Sequence, residues 1–360
     1  MKATASSIVI KSKRLLIISP NWIGDTVMAQ PLLQLLKMQY PLHAIDVMAP
    51  SWVAPVLKAM IEVDTVLETS FLHGALQLRE RTRYARILRK RGYDAAYILS
   101  NTLKFALLPW MAGIKKRVGY KGESRYGFIN VMHFDDKNKP RAMVPFYAAL
   151  AYPPKQKITE QLARLPKPHL FVSDELRRET MLQLGLSNNK PLVCFSPGAE
   201  FGSKKRWPAS HFANLAKKVL NENPDIQIAL LGSLKDTEVC LEIQQILPQV
   251  HQLAGKTNLD QAVAIISGAI AVISNDSGLL HIASALNRPV FAIYGPTDPD
   301  HAPPFSDLSY SFSLRPTCAP CDGRDCPLVH HDCMQKISPD MLWQPLKPLL
   351  PPVTSVTKIV

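Results

Sequence analysis

Ser274-Asn275-Asp276-Ser277-Gly278-Leu279-Leu280-His281-Ile282-Ala283 is the stretch on which the reading of this chain turns. Ala269-Ile270-Ala271-Val272-Ile273 before it is an unbroken apolar run, the pattern of a strand covered on both faces. After it, Leu279, Leu280, Ile282, Ala283 and Leu286 recur at helical spacing. A strand, a tight turn and a helix start in succession gather free backbone N–H groups at one point, and the helix dipole adds positive potential there. Such a turn suits a phosphate or diphosphate. Asp276 and Ser277 can cap the helix, and Gly278 lets a ligand approach the backbone. Taken alone, the segment reads equally well as an ordinary capped helix start.

A second segment breaks the tie. Ser196-Pro197-Gly198-Ala199 ends the apolar run Leu192-Val193-Cys194-Phe195 and leads into Ser203-Lys204-Lys205-Arg206-Trp207-Pro208. A helix follows, with Phe212, Leu215, Ala216, Val219 and Leu220 on one face and Pro208 at its first turn. Two phosphate-friendly loops and three consecutive cations thus fall in one half of the chain. The Ser-Pro-Gly-Ala, Lys-Arg-Trp-Pro and Asn-Asp-Ser-Gly-Leu-Leu-His blocks resemble the nucleotide-sugar half of the bacterial heptosyltransferases, glycosyltransferase family 9, which have the GT-B architecture.

The alternation of short apolar runs with helical patterns agrees with that architecture. Strands are expected at Arg14–Ser19, Ala44–Met48, Thr65–Leu67 and Ala95–Leu99, with a helix from about Thr26 to Tyr40. The second half repeats the rhythm near Leu192–Phe195, Gln227–Leu231, Ala269–Ile273 and Val290–Tyr294. The rhythm predicts an α/β protein of two Rossmann-like domains whose parallel sheets face a central cleft. Tyr152-Pro153-Pro154 through Pro168-His169 reads as the linker. The expected division is 1–165 for the acceptor, 166–335 for the nucleotide sugar, and 336–360 as a C-terminal helix and tail packing back on the first domain.

Pro20-Asn21-Trp22-Ile23-Gly24-Asp25-Thr26 lies at the carboxyl end of the first expected strand. Asp25 reads either as an N-cap or as a general base facing the cleft, where a carboxylate can take a proton from an acceptor hydroxyl. The resemblance favours the base, because Gly-Asp in this loop is the family's proposed one. The Pro-Asn-Trp-Ile-Gly-Asp form is closer to the family's type II branch than to type I. The resemblance also implies Lys205 as the diphosphate cation and Ser196, Gly198, Asp276, Ser277, Gly278, Leu279 and His281 as donor contacts. His281 reads equally as a satisfied structural histidine. After the strand Ile226–Leu231, Asp236 is the candidate for the nucleotide ribose, with Glu238 as rival.

Charge divides the chain. The net charge is +13, with +14 on residues 1–165 and −1 on the rest. A basic first half points to an anionic partner. The expected carrier is a helix bearing Arg79, Arg81, Arg83, Arg86, Arg89, Lys90 and Arg91, with Leu76, Tyr84, Ile87 and Leu88 on its inner face, backed by Lys115, Lys116, Arg117, Lys121 and Arg125. Such a helix can lie on an anionic membrane, hold a substrate's phosphates, or simply be solvated. Cys318, Cys321, Cys326 and Cys333, with His330 and His331 between, resemble a zinc-ligand series but do not have a standard finger's spacing. Free thiols are preferred, and no metal is assigned.

No segment approaches the roughly 20 apolar residues of a membrane span. No signal peptide is evident before Lys13, which predicts a cytoplasmic protein with reduced cysteines. The resemblance implies inverting transfer of L-glycero-D-manno-heptose from ADP-heptose, with no further cofactor, to heptosyl-Kdo2-lipid A of the lipopolysaccharide core, at the inner face of the cytoplasmic membrane. Another family 9 transferase, including type I, is the nearest alternative, and a sugar-nucleotide 2-epimerase a more remote one. Nucleic-acid binding would need a motif the sequence does not show.

Overall fold

The computed structural model describes residues 13–352 apart from 72–74, 137–140, 155–163, 201, 322 and 324. The N-terminal extension, the middle of the linker and the last part of the tail lie outside the described residues. Two six-stranded parallel sheets form the frame. The first holds β1 (Arg14–Ile18), β2 (Ala44–Pro50), β3 (Thr65–Thr69), β4 (Ala95–Ile98), β5 (Lys116–Tyr120) and β6 (Val131–His133) in the order 3-2-1-4-5-6. The second holds β7 (Leu192–Ser196), β8 (Gln227–Leu230), β9 (His251–Gln252), β10 (Ala271–Asn275), β11 (Val290–Ile293) and β12 (Ser309–Phe312) in the order 12-11-10-7-8-9. This is the same doubly wound order in each half. Strand order reverses between β1 and β4 and again between β7 and β10, where such sheets bind ligands beyond the strands' carboxyl ends. The quoted segment leaves β10, and the Ser-Pro-Gly-Ala segment leaves β7, so both loops fall at one switch point.

Continuous apolar runs became the central strands because helices cover both sheet faces; every residue of β7, β10 and β11 is buried. Between β7 and the helix Ala209–Glu222, Phe195, Trp207 and Phe212 form an aromatic cluster, with ring centroids 4.8 Å apart for Trp207 and Phe212. Truncating a ring of this size in a core costs about 3–5 kcal/mol. Trp207 is therefore a packing residue at the helix entry.

Four expectations change. The helix expected over Thr26–Tyr40 is two, Ile23–Met28 and Gln30–Gln39, broken at Ala29 because Pro31 enters the first turn of the second. β5, β6, β9 and β12 are additional; three are edge or near-edge pieces too short or too polar to show a period, and β5 opens on Lys116 and Arg117. The inner face of the basic helix, Leu78–Arg91, is Arg81, Ala85 and Leu88, whereas Leu76 and Ile87 are exposed. The C-terminal helix Pro339–Leu346 packs on the second half, not the first. Its apolar Leu342 and Leu346 complete the core beside Phe212, Lys218 pairs with Asp340 at 2.8 Å, and Trp207 Nε1 donates to the Ile337 carbonyl at 2.7 Å.

The halves touch closely. Leu170 N donates to Ala285 O in the second half and Phe171 N to Ala59 O in the first, each at 2.9 Å. The helices Ile23–Met28 and Gly278–Ala285 pack against each other at the cleft floor. There a β-carbon on Gly278 would lie 2.8 Å from Ile23 Cβ.

Candidate functional site

A cleft of about 520 Å³ opens where the two sheets' carboxyl ends face each other. Asp25, Ser196, Gly198, Lys205, Asp236, Asp276, Ser277, Gly278, Leu279 and His281 all line it. The sequence-predicted residues are thus brought together in one place; Glu238 is exposed and does not line it.

On the first wall, Asp25 stands in the opening turn of its helix. The N-cap is Trp22, without a side-chain cap, so capping is not what Asp25 does. Its carboxylate Oδ1 accepts a hydrogen bond from Tyr147 Oη at 2.9 Å.

On the opposite wall the three consecutive cations part company. Lys204 is buried and donates to the Cys321 carbonyl at 2.7 Å. Arg206 reaches Asp236 at 3.4 Å. Lys205 alone of the three lines the cleft, its ammonium 2.7 Å from Asp276 Oδ2. Thr297 Oγ1 donates to the same oxygen at 2.8 Å. Burial opposes ionisation of Asp276, but Lys205, His281 and these hydrogen bonds outweigh it and hold the carboxyl below its ordinary value. An ammonium carries three donors, so Lys205 keeps others for a ligand.

The helix Gly278–Ala285 has Ser277 as N-cap, with no side-chain cap on its first N–H groups. Those donors are available at the cleft, backed by the helix dipole. One residue fixes both loops around them. Asn275, fully buried, donates from Nδ2 to the Pro197 carbonyl at 2.7 Å and accepts at Oδ1 from Trp207 N at 3.1 Å. The sequence did not single it out, although it lies inside the quoted stretch.

Burial holds His281 below its ordinary value against the pull of Asp276 and Asp25, which leaves the ring neutral at pH 7. It feels the charge of both carboxylates and lies against Gly24, and its Nδ1 is buried without a hydrogen-bond partner among the described residues. Asp236 closes a capping box with Ser233, at 2.9 Å to the backbone N–H and 2.8 Å to the hydroxyl, and packs on Gly198.

A second cavity of about 1280 Å³ adjoins the first through Lys205, Asp276, His301 and Ala302. Lys121 lies 5.9 Å from the ring centroids of Tyr126 and Phe134 at its mouth, and Arg141 pairs with Asp135. Glu123, Asp136, Asp298 and Asp300 add carboxylates, so this lining is mixed rather than basic.

Much of the expected basic surface is internal. Arg81 is fully buried, 4.3 Å above the Phe71 ring, and donates to the Leu76 and Lys104 carbonyls. Arg125 is buried against the Ser100 and Tyr120 carbonyls, and burial pushes it down to about 10. Arg117 holds the Ile114 and Phe128 carbonyls, and Arg91 pairs with buried Asp46 at 2.7 Å. Arg86 and Lys90 remain exposed but line neither cavity.

The cysteines at 318, 321, 326 and 333 are free thiols. Among the described residues no group of three or more His, Cys, Asp or Glu side chains is arranged to hold a metal ion.

Residues 81–331 match the model of glycosyltransferase family 9 (heptosyltransferase). Lipopolysaccharide heptosyltransferase 2 of Escherichia coli K12 is 41% identical over 346 residues, 94% of this chain and 98% of that one. Lipooligosaccharide heptosyltransferase 2 of Haemophilus influenzae is 41% identical over 348 residues, 93% and 99% of the two chains. Among solved structures, that of the E. coli ADP-heptose lps heptosyltransferase II superposes with a TM-score of 0.83 at 39% identity, covering 94% of this chain and 98% of that one. E. coli heptosyltransferase WaaC with ADP, at 19% identity and TM-score 0.66 over 93% and 99% of the chains, shares the fold.

Proposed function

The chain belongs to glycosyltransferase family 9, the heptosyltransferases, and is a heptosyltransferase of the type II, inner-core branch; from that premise we propose that it moves L-glycero-D-manno-heptose from ADP-heptose to heptosyl-Kdo2-lipid A by one inverting displacement. The observation that carries the reading is the pairing, across one cleft, of a carboxylate at the first sheet's switch point with a cation and an uncapped helix N-terminus at the second's.

In this reading residues 166–335 hold the donor and 1–165 the acceptor. The diphosphate lies against Lys205 and the N–H groups of Ser277–Leu279. The adenosine extends past Asp236 toward Leu259 and Ala262, the cleft's apolar end. The acceptor enters from the second cavity, with Lys121 and Arg141 toward its anionic groups. Asp25 takes the proton of the acceptor hydroxyl as that oxygen attacks the anomeric carbon from the face opposite the leaving group. The bond to the diphosphate oxygen breaks, and ADP departs with the electron pair. Lys205 and the helix N-terminus stabilise the growing negative charge, a duty that calls for no added cofactor. Neutral His281 fills the floor between base and leaving group without adding charge.

No helix among the described residues is long and apolar enough to cross a membrane. A cytoplasmic enzyme touching the inner membrane surface peripherally, through the exposed Arg86 and Lys90 side of its basic helix, meets a lipid-anchored acceptor without one. The test is a product assay with ADP-heptose against defined core acceptors. Heptose added to heptosyl-Kdo2-lipid A with inverted anomeric configuration is expected. Transfer only to the Kdo2-lipid A precursor would move the reading to the type I reaction.

A further inference from the structure

The proposed base does not stand alone. Tyr147 reaches Asp25 from 122 positions along the chain, on the short helix Met143–Ala148, and its hydroxyl donates to Asp25 Oδ1 at 2.9 Å. The ring is buried, and burial together with the Asp25 carboxylate pushes the phenol well above its ordinary value. The hydroxyl therefore keeps its proton throughout the working pH range and can only donate to the carboxylate.

The helix that presents it is braced from both halves. Met143 N donates to the His301 carbonyl at 3.0 Å, and His301 Nδ1 lies 2.6 Å from the Arg141 carbonyl. From the first half, Tyr120 Oη donates to the Phe146 carbonyl at 2.6 Å and its ring stacks on Phe146 at 4.0 Å. Arg141 covers the same Phe146 ring at 4.2 Å. So dense a brace on a helix of six residues leaves Tyr147 little freedom to move off Asp25.

We propose that Tyr147 is the positioning residue of the reaction: its hydroxyl fixes one carboxylate oxygen of Asp25, so that the other is presented to the acceptor hydroxyl. A free carboxylate turns about its last bond, and catalysis by a positioned base depends on removing that freedom before the reaction. The charged and titratable groups around the pair are His281 from the helix Gly278–Ala285, Arg141 and Tyr120 beside Tyr147, and Lys205 with Asp276 beyond His281. The hydrogen bond to the Asp25 carboxylate comes from Tyr147 itself.

The inference rests on the reading of Asp25 as base, and the test separates the two. Asp25→Asn and Tyr147→Phe are compared with the full-length protein for kcat and KM of donor and acceptor across pH. Asp25→Asn is expected to abolish transfer. Tyr147→Phe is expected to lower kcat about 10–100-fold, the scale of one hydrogen bond to a charged group, with the donor KM unchanged. The acceptor KM is expected to change little, so the loss falls on kcat alone, which a general loosening of the fold would not produce. Site-specific 3-fluorotyrosine at position 147, which keeps the hydroxyl donor in nearly the same shape, is expected to retain a kcat close to that of the unmodified protein and serves if the phenylalanine variant does not fold. An inactive Asp25→Asn with an undiminished kcat in Tyr147→Phe, or with a 3-fluorotyrosine protein as slow as Tyr147→Phe, overturns the positioning role and leaves the base standing. An active Asp25→Asn overturns both.

Discussion

Gly24 and His281 pack against each other across the cleft floor with no space for one more carbon: a β-carbon on Gly24 would lie 2.8 Å from His281 Cδ2. The residue before the proposed base therefore rests directly on the helix whose N-terminus is proposed to face the diphosphate.

Gly24→Ala forces that contact apart. Displacements near 1 Å between reacting groups cost on the order of 100-fold in rate, and a loss of that size in kcat is expected while ADP still binds. Calorimetry with ADP alongside transfer kinetics checks it. Parallel loss of ADP affinity would place the damage in the donor loops instead.

Lys205→Ala weakens donor binding, slows transfer and changes how stability depends on pH. In the native protein Asp276 is held below the ordinary value of 3.8, so the pair's contribution is complete above that pH and is lost as pH falls through the folded value. Without Lys205 the buried carboxylate favours its protonated form, and the variant grows less stable as pH rises through the aspartate range. The gap between the two proteins is expected to be smallest at acid pH, below the folded value of Asp276, and to widen as pH rises to about 3–5 kcal/mol at neutral pH, the cost of stranding one partner of a buried pair. Urea unfolding at both pH values measures it, and a gap independent of pH contradicts it.

Lys121 and the basic helix separate in their effects. Lys121→Ala is expected to raise the acceptor KM several-fold without changing the donor KM. Reversing charge at Arg86 and Lys90 is expected to reduce binding to anionic vesicles and to leave kinetics with a detergent-dispersed acceptor intact. Added salt should mimic the second change, since exposed charges are screened beyond about 8 Å at physiological ionic strength. Unchanged vesicle binding would make that face merely solvated.

A strong chelator is expected to leave the initial rate unchanged, because the leaving-group charge is assigned in the proposed mechanism to Lys205 and the Gly278–Ala285 N-terminus. Activity lost and then restored by a divalent ion would reverse that assignment.

The loops at the second switch point were legible because their chemistry is local. Asp276, Ser277, Gly278 and Lys205 stand within a few residues of a strand end, where period and turn residues change together. Tyr147, Thr297 and His301 left no such mark, since each reaches the site through tertiary packing from a segment unremarkable in itself. Charge misled for a related reason. Composition counts Arg81, Arg117 and Arg125 with the lysines, whereas the fold uses their planar, many-donor groups to satisfy carbonyls at chain turns. The strands β6 and β9, of three residues and two, are too short for alternation to register at all.

Asn275 sets a condition on anyone who would rebuild this site. Aspartate has the same outline and would fit the same space, yet Asn275→Asp would turn an acceptor oxygen toward the Pro197 carbonyl, where a donor is required. A redesign judged by shape alone would pass that exchange as harmless. The molecule would reject it, because the position is read by the direction of its hydrogens, and a one-atom difference at the carboxyl end of β10 would release both loops proposed to hold the donor.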